Sequence, residues 1–70
     1  MYTKENLMLD LIKYNVSKKA EFLDEEIKIT ATRLVAIDKS ISYDFFITFN
    51  DGSIKKISEN KFLQIYNEMK

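Results

Sequence analysis

The segment from Tyr43 to Ile57 constrains this chain more than any other. Tyr43, Phe45, Ile47 and Phe49 recur at every second position, so they share one side of an extended strand. Asn50-Asp51-Gly52-Ser53 follows, then a second apolar and basic run, Ile54-Lys55-Lys56-Ile57. Asp-Gly between two such runs is the strongest short-range hairpin signal, because a type I′ turn needs positive φ at both central residues. With Asp51 and Gly52 as the two loop residues, Phe49 faces Ile54, Thr48 faces Lys55, Ile47 faces Lys56 and Phe46 faces Ile57.

The flanks follow from the change of period. Ser58 reads as an N-cap, and Phe62, Ile65, Tyr66 and Met69 then repeat at helical spacing, with Glu59 in the first turn where the helix dipole favours an acid. At the other end Thr3 caps a helix predicted over residues 4 to 15, with Leu7, Met8, Leu11 and Ile12 on one side. From Ile27 the period is two: Ile27, Ile29, Ala31, Val35 and Ile37 on one side, Lys28, Thr30, Thr32, Leu34 and Ala36 on the other. Arg33 breaks the apolar side, through a bulge or by reaching off an edge. Residues 15 to 26 carry the weakest signal. A single long helix, a helix pair and a strand near Glu21 to Leu23 all fit, and a short second helix carrying Ala20, Phe22 and Leu23 is preferred.

The reading is therefore one α+β domain over residues 1–70: an N-terminal helix, a short second helix, a three-stranded antiparallel meander and a C-terminal helix. A chain of 70 residues leaves no room for a second lobe. It carries 46% apolar residues and five Phe, enough for a core to offset chain entropy.

The same residues bound the function. There is no His and no Cys, so thiolate nucleophiles, imidazole bases, disulfides and ordinary zinc sites are all outside its chemistry. Asp24-Glu25-Glu26 lacks the spacing of a calcium loop, and a lone Gly52 makes no phosphate cradle. No enzymatic activity, catalytic residue, cofactor or metal is expected. No apolar run is long enough for a signal peptide or a membrane span, which points to a cytoplasmic protein with no membrane partner. Eleven basic residues balance eleven acidic ones, and Arg33 is the sole Arg; nucleic acid is a conceivable partner but not the favoured one. Residues with A/T-rich codons dominate, a bias of low-GC bacteria and their phages.

One sheet face, with Phe45, Ile47, Phe49 and Ile54, is expected to bury the helices. On the predicted register the opposite face carries Phe46, Thr48, Lys55 and Ile57 with Leu34. Phe46 and Ile57 are too apolar for a solvated face. Either a helix or the Phe22 segment covers them, the simpler reading, or Leu34, Phe46, Thr48, Lys55 and Ile57 form a partner-binding patch. On that basis the leading expectation is a non-enzymatic protein-binding module. It would be a small phage or mobile-element accessory protein that inhibits or adapts a larger host protein, such as a defence protein, or self-associates. The alternative is a weak nucleic-acid-binding domain. The helix, three strands and helix resemble in layout the double-stranded-RNA-binding domain and small phage-encoded inhibitors of bacterial defence nucleases. Ser58-Glu59-Asn60-Lys61 does not match the basic, Ala-rich helix start of the RNA-binding family.

Overall fold

The structure, a computed structural model, describes residues 1–69. Its order is α1 (Lys4–Lys13), β1 (Val16–Phe22), β2 (Glu25–Val35), β3 (Ile41–Thr48), β4 (Ile54–Ile57) and α2 (Glu59–Glu68). The strands form one antiparallel sheet in the order β1-β2-β3-β4. The predicted α+β plan of helix, antiparallel sheet and helix is the observed one, with four strands in place of three.

The additional strand replaces the short second helix. Val16, Lys18, Ala20 and Phe22 alternate with Ser17, Lys19 and Glu21 against β2, from Val16 opposite Ala31 to Phe22 opposite Glu25. Its period-two pattern is diluted by Lys18, an inward-facing charge that reads as polar in sequence. The fold uses it: the Lys18 ammonium lies 4.5 Å from the centre of the Tyr66 ring and donates to the Tyr66 carbonyl at 2.9 Å. That carbonyl is in the last turn of α2, where a cation also suits the helix dipole.

Thr3 starts α1 through a capping box, its hydroxyl accepting from the Asn6 N–H while the Asn6 side chain accepts from the Thr3 N–H. The helix stops at Lys13, two residues before the predicted end, because Tyr14 is already extended and Val16 must enter the sheet. Ser58 caps α2 as predicted by accepting from the Lys61 N–H.

Both helices pack on the same face of the sheet. Val16, Ile27, Ile29, Ala31, Phe45 and Ile47 point inward to meet Leu7, Leu11, Phe62, Ile65 and Met69. Phe62 and Leu7 are wholly buried at the centre, and the Phe62 ring lies 5.5 Å from that of Phe45. No polar or charged residue is buried among the described residues. Truncating a residue such as Phe62 costs about 3–5 kcal/mol, comparable to the whole stability of a domain this small. The termini are joined across the helices. Tyr2 stacks on Tyr66 at 4.2 Å, and the Tyr2 backbone exchanges two hydrogen bonds with the Asn67 side chain.

The last hairpin departs from the predicted register by one residue. Phe49 donates to the Ser53 carbonyl at 2.8 Å and Gly52 donates to the Phe49 carbonyl at 2.9 Å. Asn50, Asp51 and Gly52 are thus a three-residue loop, with Gly52 at φ +89°. This is the turn with a glycine bulge, one residue longer than the type I′ hairpin. Thr48 consequently faces Ile54, and Phe45 faces Ile57. A slip of one residue reverses every side chain of the short strand: Ile57 joins the core face and Ile54 goes outside.

Candidate functional site

Of the five residues predicted to form a patch, three share the outer face of the sheet and two do not. Leu34, Phe46 and Thr48 lie outside; Lys55 faces Ile47 and Ile57 faces Phe45, which puts both on the helix side. The physical reason is the longer turn. Ile57 is half-buried against the core, whereas Ile54 is 67% exposed beside Thr48. The simpler reading, in which a helix or the Phe22 segment covers the outer face, is also corrected, since the two helices and Phe22 are all on the inner side.

That outer face is mostly polar. Phe46 is half-buried between Thr30 and Lys56, and an ion pair of 3.1 Å joins Lys56 to Asp44. A second pair, Lys19 with Glu26 at 3.2 Å, crosses from β1 to β2. Exposed pairs of this kind contribute about 0–1 kcal/mol each. Leu34 is four residues along β2 from Thr30, the partner of Phe46, so the three outer-face residues do not make one apolar patch.

The larger unsatisfied surface is one that the sequence reading did not single out. β1 accompanies β2 only as far as Ala31, and β4 accompanies β3 only from Phe45 onward. Beyond those positions β2 and β3 continue alone for four more pairs, from Thr32 opposite Asp44 to Val35 opposite Ile41. The result is a two-stranded ribbon, about 13 Å long at the usual rise per residue, closed by the turn Ala36–Ser40. Its exposed apolar side chains are Leu34, Val35, Ile37, Ile41 and Tyr43, with Ile37 at the tip fully exposed. Arg33 and Tyr43 face each other at its base, on the same side as the core. Its register runs straight through Arg33 with no bulge, so Arg33 breaks the apolar pattern at the point where the strands leave the core. The signal available in the sequence was the apolar character of Val35, Ile37 and Ile41 around a polar turn; alternation put Val35 and Ile37 on the side of Ile27 and Ile29 and left Ile41 unassigned.

Two other features complete the surface. At the opposite end of the inner face an open groove of about 230 Å³ lies between the sheet and α2, lined by Phe22, Ile27, Ile47, Phe49, Ile57 and Ile65. Near the N-terminus the Tyr2 hydroxyl donates to an Asp10 carboxylate oxygen at 2.6 Å. Desolvation, and then that bond, hold the Tyr2 phenol well above its ordinary pKa; the Asp10 charge also raises Tyr14. These phenols stay protonated across physiological pH. Among the described residues no three acidic side chains gather as they would to hold a metal ion, and no helix is long and apolar enough to cross a membrane. Comparisons with protein-family models, curated proteins and solved structures give no match to this chain.

Proposed function

We propose that this chain is a non-enzymatic protein-binding module that engages its partner through the β2–β3 ribbon. The observation that carries the reading is a hairpin that leaves the sheet with Val35, Ile37 and Ile41 exposed and no third strand paired with it. An isolated two-stranded ribbon is marginally stable in water, and clustered apolar groups on a protrusion are costly unless something covers them. The lack of His and Cys, and the A/T-rich composition, support an accessory protein of a low-GC bacterial phage or mobile element that acts in the cytoplasm on a larger host protein.

The test compares wild type with Ile37→Ser combined with Ile41→Ser in affinity capture from a low-GC bacterial lysate. Both side chains are exposed, so circular dichroism of the variant should match wild type. A protein retained by wild type and lost by the variant is expected. Equal retention by both would place the interface elsewhere, and retardation of single- or double-stranded nucleic-acid probes at low salt would replace the protein reading.

A further inference from the structure

Which part of the ribbon receives a partner follows from the phase of its hydrogen bonds. Ala36 donates to the Ser40 carbonyl at 2.9 Å, which makes these two a bonded pair. Bonded and non-bonded pairs alternate along an antiparallel ladder, so Leu34 bonds Ser42 and Thr32 bonds Asp44. The backbone N–H and C=O groups of Arg33 and Val35 on β2, and of Ile41 and Tyr43 on β3, therefore point away from the ribbon. β1 and β4 end before reaching them, and among the described residues no turn, loop or side-chain hydrogen bond reaches them either.

Exposed strand edges are ordinarily blunted by charge, lysine in particular. The outer edges of this sheet follow that rule, with Lys18, Lys19 and Glu21 on β1 and Lys55 and Lys56 on the short β4. The ribbon is less protected, since Thr32-Arg33-Leu34-Val35 and Ile41-Ser42-Tyr43-Asp44 contain no Lys and carry Arg33 and Asp44 as their only charges. Asp44 is already occupied by Lys56. Arg33 is half-buried and makes no ion pair or hydrogen bond among the described residues. The β2 edge thus presents two outward backbone pairs, an unpaired guanidinium and an adjacent valine.

We propose that the free edge of β2 at Arg33–Val35 takes up an extended segment of a partner protein as an added strand, with a carboxylate of that segment against Arg33 and an apolar side chain against Val35. The inference rests on the protein-binding reading and specifies its chemistry. Backbone bonds supply affinity in strand addition, and the alternate side chains supply selectivity. Directly adjacent opposite charges are favourable across strands, and Arg with Tyr is the composition of interface hot spots. A second copy of this chain fits poorly. Pairing two β2 edges about Leu34 would set Arg33 diagonally near its own copy, a like-charge contact that an acidic partner segment avoids.

The experiment is selection of a random twelve-residue peptide library on the intact chain, then titration of the synthesised peptides into isotope-labelled protein with amide exchange measured residue by residue. Enriched peptides should carry Asp or Glu flanked at alternate positions by Val, Ile or Phe, and should protect the Arg33 and Val35 amides. Arg33→Gln should weaken them by about tenfold or more, and Arg33→Glu should shift the preference to Lys or Arg. Val35→Pro, which deletes one outward N–H and spares the ladder to β3, should weaken binding with the spectrum otherwise retained. Protection confined to Ile41 and Tyr43, indifference to Arg33, or no enrichment would overturn the inference. Peptides seated in the groove at Phe22 and Phe49 would also overturn it while leaving a protein-binding module. Edge protection that appears without peptide and vanishes on dilution would assign the edge to a second copy instead. Failure of the parent reading is distinct: it is the loss of any ribbon-dependent partner in the capture experiment.

Discussion

The first and last hairpins of the sheet reverse the usual relation between turn sequence and turn type. Phe22 and Glu25 pair across Leu23 and Asp24, and these two loop residues have φ of +51° and +63°. That is the left-handed pair required by a type I′ turn, built without a glycine. Asp51-Gly52, the dipeptide best suited to such a turn, instead occupies a three-residue loop in which Gly52 alone, among the described residues of that loop, has positive φ. Strand packing explains both. Ile27 and Ile29 must face inward with Ala20 and Lys18 opposite them, which leaves two residues for the first loop. At the last, a two-residue loop would seat Ile54 inside and Ile57 outside, whereas the longer one exchanges them and seats Ile57 beside Phe45. Each register turns one isoleucine inward, so the longer loop is selected by where that side chain lands, against Phe45 and the core, and not by a gain in apolar area.

The middle turn is the twin of the last. Ala36 and Ser40 close it as Phe49 and Ser53 close the other, with Lys39 at φ +69° in the place of Gly52. Asp38 and Asp51 occupy equivalent positions, each accepting from the backbone N–H and hydroxyl of the serine two residues on. Asp-Lys-Ser and Asp-Gly-Ser thus adopt the same turn, which suggests that the aspartate and serine define it and glycine only eases it.

The comparison breaks most decisively at the register. Ile57→Ala should lower stability by about 2 kcal/mol while Ile54→Ala stays within about 0.5 kcal/mol, read by urea denaturation. The opposite ranking would restore the two-residue turn. Next in size is the first loop. Leu23→Asn with Asp24→Gly places the preferred type I′ pair there and should raise stability by about 1–2 kcal/mol, because a left-handed conformation costs an ordinary residue about that much. No gain in the thermal melt would mean that the turn is not type I′.

The twin turns allow a finer comparison. A Cβ on Gly52 meets nothing within 4 Å, so Gly52→Ala tests backbone conformation alone and should cost about 1 kcal/mol. Lys39→Gly, the reciprocal change, should gain about 0.5 kcal/mol, less because glycine also loses more chain entropy on folding.

The smallest effect is electrostatic. Hydrogen bonds from the serine hydroxyl first, and the serine N–H second, hold the Asp38 and Asp51 carboxyls below their ordinary pKa of 3.8. A carboxyl depressed in the folded state adds stability above its unfolded pKa, and this is lost as pH falls through the lower folded value. Ser53→Ala should return Asp51 toward the ordinary range and leave Asp38 in place, as followed by carboxyl resonances between pH 2 and about 5. Equal movement of both would mean that the turns are not independent.

Much of this architecture was legible in the sequence. The spacing of Phe62, Ile65 and Met69, the caps at Thr3 and Ser58, and the alternation through Ile27–Ala31 and Phe45–Ile47 are local signals, set by helical and strand periods that need no partner to be read. β1 was not legible because Lys18 faces inward and finds its place only against Tyr66 of α2, 48 residues away. Lys55 and Ile57 left the patch of Leu34, Phe46, Thr48, Lys55 and Ile57 because their side depended on a turn length that Asp51-Gly52 does not fix by itself. Leu34 stands apart because the β2–β3 register sets it opposite Ser42, four residues from the partner of Phe46. The ribbon was beyond reach for a related reason. Sequence shows that Val35, Ile37 and Ile41 are apolar, but only the tertiary structure decides where β1 and β4 stop and the helices cease to cover the sheet. Periodicity is a property of consecutive residues, whereas coverage is a property of elements brought together from distant parts of the chain.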